Sequence, residues 1–254
     1  MTFLLFIFFI LGAIIASFAG VVAARLNTGQ SIARGRSKCD ACGVQLGAYD
    51  LVPLLSYLAS SARARCCRAR LSWLSPLTEL LLGALYALAY AQFGLTLALL
   101  FLLAALALIL ALVLYDFAHM ILPPMLLVPF IILSALFSYF AAPSYYALEL
   151  TFAAAFILAL IIAALHYLSG GRAMGLMDSP LTFGLALLAS SSGALAGFVY
   201  AFWIGAVVGI GILVRRPRGS RMGVEVPFAP FLAAGFLLAL FTPWNPFIAL
   251  AALL

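Results

Sequence analysis

Charged side chains are scarce in this sequence of 254 residues. Only 8% of the residues are charged and 67% are hydrophobic, whereas soluble domains have about 25% charged and roughly 45–50% apolar residues. This shortage excludes an ordinary soluble domain. The sequence also lacks a phosphate-cradling glycine loop and the interleaved basic and aromatic residues that bind nucleic acid, so we expect no nucleic-acid partner.

Long apolar runs take the place of the missing charges. Runs of about 18 or more residues recur along the chain, and each can cross a hydrocarbon core of about 30 Å. The predicted fold is an all-α polytopic membrane protein with about eight transmembrane helices. The predicted spans are residues 3–24, 74–92, 97–115, 121–140, 148–168, 180–191, 194–214 and 228–252.

The basic residues determine the predicted topology. Residues 180–214 are few for two crossings, but the turn-forming sequence SSSG at 190–193 divides them. With that division all 13 Lys and Arg residues fall on one side of the membrane, which the positive-inside rule places in the cytoplasm. No basic residue precedes the first run and Arg25 follows it, so we expect a retained span with its N-terminus outside.

The segment between the first two spans is the only sizeable polar part of the chain. We therefore divide the sequence into a first transmembrane helix (1–24), a basic cysteine-containing cytoplasmic loop (25–72) and a seven-helix membrane core (73–254). The loop carries two acidic residues, Asp40 and Asp50, and eight of the 13 basic residues, so anionic lipid is its expected partner. The basic residues of the loop are Arg25, Arg34, Arg36, Lys38, Arg63, Arg65, Arg68 and Arg70.

All four cysteines of the chain lie in this loop. Cys39 and Cys42 form a C-x-x-C pair, and Cys66 and Cys67 are adjacent. In the reducing cytoplasm such a set favours a structural metal site over disulfides, and zinc prefers four thiolate or imidazole ligands. Adjacent cysteines bind one ion poorly because their side chains diverge. The alternative is a membrane-surface loop whose cysteines bind no metal.

Asp116 and Asp178 are the candidate catalytic residues. The chain has seven acidic residues, and each of these two lies where an apolar run reaches the predicted cytoplasmic face. A carboxylate at membrane depth is costly and indicates function, and two close carboxylates that share one proton can act as base and acid on a water molecule. The alternative is that both are ordinary helix-end residues, with Asp178 as the N-cap ahead of Pro180.

For three other ionisable residues the sequence predicts a position or a partner. His119 follows Asp116 by one turn and either tunes it or lies at the membrane boundary, and we expect His166 at that boundary as well. Glu79 lies inside the start of the second span, where Arg70 or a backbone N–H is its expected partner.

Short motifs along the chain resemble those of one protein family. They are GAIIASF at 12–18, YDLVPLLSYL at 49–58, PLTEL at 76–80, YDFAHMILP at 115–123, GLMD at 175–178 and VPFAPFLA at 226–233. Together with the C-x-x-C pair they resemble the type IV prepilin leader peptidases, in the same order and at compatible spacing. The resemblance covers nearly the whole chain.

The resemblance implies an intramembrane aspartic protease of bacterial pilus or type II secretion systems. Members of the family cleave the basic leader of prepilins or pseudopilins after a glycine, at the cytoplasmic face of the inner membrane. Some then methylate the new N-terminus with S-adenosylmethionine. Asp116 and Asp178 match the two catalytic aspartates of the family. A family-style zinc site would keep Cys39, Cys42 and Cys67, with Cys66 or a ligand from elsewhere in the fourth position, since Ala64 stands where a cysteine is expected.

The sequence departs from the family pattern at two positions beside the aspartates. Met177 replaces the second glycine of the G-x-G-D motif, and Pro124 stands where the family usually has an aspartate. Two other functions therefore remain open. A catalytically impaired relative would act as a membrane assembly scaffold, and a proton-coupled transporter would use Asp116 and Asp178 as relay groups together with further polar residues at mid-depth.

Overall fold

The computed structural model describes residues 2–29, 31, 39, 41–45, 47, 49, 53–60, 62–172, 174–215 and 226–242. Several predicted features lie outside these residues. They are the acidic residues Asp40 and Asp50, the basic residues at 34–38 and 216–221, and the part of the last predicted span beyond residue 242.

The described residues are organised as helices, which confirms the predicted all-α class. Six helices are long and apolar enough to cross a membrane by length and composition, namely α1 and α3 to α7. The helices are α1 Thr2–Arg25, α2 Leu55–Ala59, α3 Leu74–Phe93, α4 Leu97–His119, α5 Pro124–Ala141, α6 Tyr145–Ser169, α7 Asp178–Arg215 and α8 Ala229–Phe241.

Polar or conformationally special residues mark the helix ends. The hydroxyls of Thr96 and Ser144 accept hydrogen bonds from the N–H groups three residues later, at 3.2 Å each, and so cap α4 and α6. Gly94 and Gly170 end α3 and α6 with positive φ, which glycine adopts at low cost. Helix α4 continues to His119, so Asp116 lies inside its last turn and not at the predicted end of the span near residue 115.

The chain divides into two compact units, residues 1–94 and 95–254. In the first unit α1 packs against α3 through small residues that let the two backbones touch. A Cβ added at Gly12 would lie 2.6 Å from the carbonyl oxygen of Leu82, and one at Gly83 would lie 2.8 Å from the carbonyl oxygen of Phe9. Close approach at small residues is the usual way in which helices associate inside a membrane.

The second unit contains α4 to α8, and α4 is the most buried of its long helices. Helix α7 packs against α5, α6 and α8, and α4 packs against α5 and α8. The contact between α7 and α8 is again made at backbone distance, because a Cβ added at Gly235 would lie 2.5 Å from the carbonyl oxygen of Gly197.

Helix α7 is interrupted at Ser190, whose φ and ψ of 61° and 173° are not helical. An uninterrupted helix would separate Asp178 from Gly205 by about 40 Å. Both residues instead lie close to the start of α8. A Cβ at Gly205 would be 3.2 Å from the Phe228 ring, and the Asp178 carboxylate interacts with that of Asp116, which faces the first N–H of α8. Residues 178–215 therefore double back, in agreement with the predicted turn at 190–193.

Candidate active site

The structure brings Asp116 and Asp178 together. Asp116 lies in the last turn of α4, and Asp178 is the first residue of α7. Both side chains are buried, with relative exposures of 6% and 7%, and their carboxylates are close enough to interact electrostatically. Two residues 62 positions apart in the sequence thus form one buried acidic pair.

The start of α7 fixes the position of Asp178. The N–H of Gly175 donates to its Oδ2 at 3.0 Å, which resembles the back-bond of a capping box. A Cβ at Gly175 would lie 3.4 Å from the same oxygen, which is an ordinary van der Waals contact. The hydroxyl of Ser179 donates to the carbonyl of Ala159 at 2.8 Å and ties this first turn to α6. Asp178 is therefore not the N-cap considered from the sequence: it is the first helical residue, and its carboxylate accepts from an N–H three residues earlier.

Asp116 is held at the start of α8. The backbone N–H of Ala229 interacts with its carboxylate, and a helix N-terminus favours a negative charge. Its Oδ2 is buried and has no hydrogen-bond partner among the described residues. Leaving a buried acceptor unsatisfied costs about 1–3 kcal/mol, so such an atom indicates a site that binds something else.

The residues that depart from the family motifs are accommodated without special backbone geometry. Met177 does not have a positive φ, and its side chain is 41% exposed. Pro124 occupies the first turn of α5, where proline is well tolerated because the N–H it lacks would have no helical partner. Neither residue displaces Asp116 or Asp178 from the pair.

The two histidines differ in their surroundings. His119 is exposed and its ring lies 4.4 Å from that of Tyr115. His166 is partly buried, its Nδ1 lies 2.8 Å from the carbonyl oxygen of Met174, and it interacts electrostatically with Asp178. This interaction with Asp178 could not be predicted, because the histidine and the aspartate belong to different helices and no periodic pattern connects them.

Glu79 binds a backbone N–H, which was one of its two expected partners. Its buried carboxylate accepts hydrogen bonds from the N–H of Leu54 at 2.8 Å and from the hydroxyl of Ser75 at 3.3 Å. Leu54 has a positive φ of 59° at this contact. Glu79 therefore anchors the end of the loop on α3.

The first cysteine pair lies in a tight turn. The N–H of Cys39 donates to the carbonyl of Val44, and the N–H of Gly43 donates to the carbonyl of Cys39, both at 2.8 Å. Gly43 has a positive φ of 71°. The N–H groups of Ala41 and Cys42 donate to the Cys39 sulfur and lower the pKa of this thiol to about 7. A thiolate is the form of cysteine that binds a metal.

The second cysteine pair lies in a turn with the same hydrogen bonds. The N–H of Ala64 donates to the carbonyl of Ala69, and the N–H of Arg68 donates to the carbonyl of Ala64, again at 2.8 Å. Arg68 has a positive φ of 57°, like Gly43 in the first turn. In this repeated pattern Ala64 occupies the position of Cys39, and Cys67 occupies the position of Cys42.

The structure brings all four sulfurs together. Those of Cys39 and Cys67 are 3.8 Å apart, those of Cys42 and Cys66 are 3.2 Å apart, and all four lie within 4.8 Å of one another. Tetrahedral zinc with bonds of about 2.3 Å separates its sulfurs by about 3.8 Å. The hydrogen bond with Cys42 raises the pKa of the Cys66 thiol to about 12. The four sulfurs therefore fit the donor set of tetrahedral zinc, which would bind them as thiolates.

Comparisons with known proteins agree with the motifs. A model of the bacterial peptidase A24 N-terminal domain matches residues 10–93. The chain is 31% identical over 241 residues to the prepilin leader peptidase/N-methyltransferase of Bacillus subtilis (strain 168), an alignment that covers 93% of each chain. Proteins with the same name from Myxococcus xanthus (strain DK1622) and Pseudomonas putida are 43% and 31% identical, over 48% and 80% of this chain and 36% and 71% of theirs. No solved structure matches the chain. The chain belongs to the prepilin leader peptidase/N-methyltransferase family.

Proposed function

We propose that this chain is a membrane-embedded aspartic endopeptidase that removes the basic leader of prepilin-like proteins, with Asp116 and Asp178 as its catalytic pair. The observation that carries the proposal is the buried acidic pair, in which Oδ2 of Asp116 has no partner among the described residues. The names of the relatives support the choice of substrate.

The chemistry follows from two carboxylates that share one proton. The ionised carboxylate takes a proton from a water molecule while the protonated one donates a hydrogen bond to the scissile carbonyl oxygen. The water oxygen then bonds to the carbonyl carbon and forms a tetrahedral intermediate. As the carbon–nitrogen bond breaks, the leaving nitrogen takes the proton that came from the water. Because the two groups titrate as a pair, we assign the roles to the pair and not to one residue each.

The proposal places the acidic pair at the cytoplasmic face of the bacterial inner membrane, with the N-terminus outside. Arg25 ends α1 and Arg215 ends α7, and Arg172 lies shortly before Asp178. The positive-inside rule assigns the side that carries these residues to the cytoplasm. A basic leader held on the cytoplasmic side would therefore meet the site.

The proposal also includes a structural zinc ion in the loop. Cys39, Cys42, Cys66 and Cys67 would hold it, because their sulfurs all lie within 4.8 Å of one another, near the separation of about 3.8 Å in tetrahedral zinc. Zinc would supply folding free energy to a segment that is too small for a hydrophobic core of its own. In addition, the name of the relatives includes N-methyltransferase, so S-adenosylmethionine is the expected methyl donor for the new N-terminus. No described residue is assigned to this cofactor.

The buried polar residues do not favour a proton-coupled transporter. The hydroxyls of Ser134, Thr151 and Thr182 each donate to the carbonyl oxygen four residues earlier, at 2.7–2.8 Å. They satisfy their own helices and form no continuous relay with Asp116 or Asp178 in the described part of the chain. The scaffold alternative rests on Met177 and Pro124, and both residues leave the acidic pair intact.

A cleavage assay tests the proposal. The purified protein in detergent is incubated with a peptide that has a basic leader, a glycine and a hydrophobic segment, and the products are identified by mass spectrometry. We expect cleavage after the glycine. A preparation that is folded and loaded with zinc but cleaves no such peptide would support the scaffold, whereas proton flux in liposomes without cleavage would support the transporter.

A further inference from the structure

One peptide group connects His166 to Asp178. The Nδ1 atom of His166 lies 2.8 Å from the carbonyl oxygen of Met174, and the N–H of Gly175 donates to Oδ2 of Asp178 at 3.0 Å. The carbonyl of Met174 and the N–H of Gly175 belong to the same amide. The histidine and the carboxylate therefore hydrogen-bond to its opposite ends.

The first contact defines the protonation of the histidine ring. A carbonyl oxygen only accepts hydrogen bonds, so Nδ1 of His166 carries a hydrogen. A donor at the carbonyl end of an amide polarises the group and strengthens the bond that its N–H makes at the other end. The effect reaches Asp178 even though the ring makes no direct hydrogen bond to the carboxylate.

The loop between α6 and α7 is shaped around this ring. Gly171 has a positive φ of 78°, and its N–H donates to the carbonyl of His166 at 2.8 Å. A Cβ at Gly171 would lie 3.3 Å from Cε1 of the ring, so glycine lets the chain fold closely over the histidine. Met174 is itself buried, which protects its hydrogen bond to the ring from competing water.

We propose that His166 is a positioning residue for the cleavage reaction, which it serves by holding and polarising the Met174–Gly175 amide that orients the Asp178 carboxylate. This inference rests on the proposed peptidase function. It requires the hydrogen-bond donor of the ring and not only its volume. His119 is the matched control, because it is the other of the two histidines and its exposed ring lies against that of Tyr115.

The test compares kcat and KM for a prepilin-like peptide among the parent, His166→Ala, His166→Asn and His119→Ala. The amide nitrogen of asparagine occupies the place of Nδ1 and can donate to the same carbonyl. We expect His166→Ala to lower kcat roughly tenfold, the worth of one hydrogen bond, with KM changed by less than about twofold. His166→Asn should recover most of the loss, and His119→Ala should behave like the parent.

The inference is wrong if His166→Ala has the kcat of His119→Ala, or if asparagine recovers nothing. A second measurement covers the case in which the alanine variant does not fold. In ¹⁵N-histidine-labelled His119→Ala protein, His166 is the remaining histidine, and nitrogen chemical shifts report which ring nitrogen carries hydrogen. A hydrogen on Nδ1 is expected, and an unprotonated Nδ1 would overturn the inference. Failure of the proposed function differs from both results, because the folded parent would then cleave no peptide.

Discussion

The cysteine cluster and the acidic pair are two ways of bringing ionisable side chains together in one chain. The four sulfurs lie on two short turns with the same backbone hydrogen bonds, and three of them are exposed. The two carboxylates lie on the ends of long helices and are both buried. The first arrangement is built from local turns, whereas the second requires three helix ends to meet.

This difference determines what each cluster requires. In the proposed function, the cysteine cluster takes its support from a zinc ion between the four sulfurs and not from packing. The carboxylates obtain their support from the protein itself, through the N–H groups of Gly175 and Ala229. Metal removal and helix repacking should therefore affect the two clusters separately.

The largest effect is expected from removing an ionisable carboxylate. Asp116→Asn and Asp178→Asn each keep the size of the side chain but prevent the pair from exchanging one proton with water. We expect cleavage to fall by roughly 10³-fold or more, with membrane insertion unchanged. The rate of peptide cleavage in detergent measures this. Glu149→Gln is the control, because Glu149 is an exposed acid in the same unit and should keep the parent rate. If Asp116→Asn and Asp178→Asn cleave the peptide at the rate of Glu149→Gln and the parent, the two aspartates are not the catalytic pair.

The next effect concerns the metal. Metal analysis of protein purified without chelators should find one zinc per chain, and a preparation without zinc would refute the site. Cys66→Ala should weaken zinc binding by at least about 100-fold, because it removes one of four ligands. The double variant Ala64→Cys/Cys66→Ala places the sulfur at the position equivalent to Cys39 and should restore zinc binding.

Chelation should also accelerate proteolysis within the loop, whereas a chelator preloaded with zinc should have no effect.

A smaller effect should come from the glycines at which helix backbones touch. Gly235→Ala places a methyl group against the carbonyl of Gly197, and Gly12→Ala does the same against Leu82 in the other unit. Each should lower the free energy of unfolding by about 1–3 kcal/mol. A lower thermal midpoint in detergent would report this loss. Only Gly235→Ala should also lower kcat, since α8 carries the N–H that faces Asp116. Gly209→Ala, with nothing within 4 Å of the added methyl, should lower neither the free energy of unfolding nor kcat.

The smallest effect is expected at Met177. In the family motif a glycine stands beside the second aspartate, and the bulk of methionine there would crowd an approaching substrate backbone. Because the Met177 side chain is exposed and flexible, it can move aside. Met177→Gly should raise the cleavage rate about two- to fivefold, a change of less than about 1 kcal/mol in the barrier. A glycine variant no faster than an active parent would mean that Met177 does not obstruct the substrate.

Much of the architecture could be predicted because it depends on local apolar patterns. The predicted span 97–115 became α4, Leu97–His119, and the turn predicted at 190–193 is the break at Ser190. The end of α4 was less predictable. The predicted span ended before the first charge, whereas the helix ends where Met120 adopts a left-handed conformation with a φ of 53°.

The contacts that complete the acidic pair could not be predicted from the sequence. The N–H of Ala229 meets a carboxylate 113 positions earlier in the chain, and His166 reaches Asp178 through a loop whose shape depends on two glycines. Side-chain periodicity identifies which face of a helix is apolar but not which backbone N–H points at a distant residue. The identity of the two aspartates was predictable from their position, and whether they catalyse cleavage stays a prediction.

The glycine contact between α7 and α8 fixes the position of α8 along its own axis. Gly235 lies against the backbone of Gly197 and Ala201. The residues one turn away on α8 carry side chains that would not fit there. Sliding by one turn, about 5.4 Å, is therefore blocked. Six residues, or about 9 Å of helix, therefore separate the contact at Gly235 from the N–H of Ala229. Inserting a single residue between Ala229 and Gly235 would rotate this N–H about 100° around the helix axis and away from Asp116.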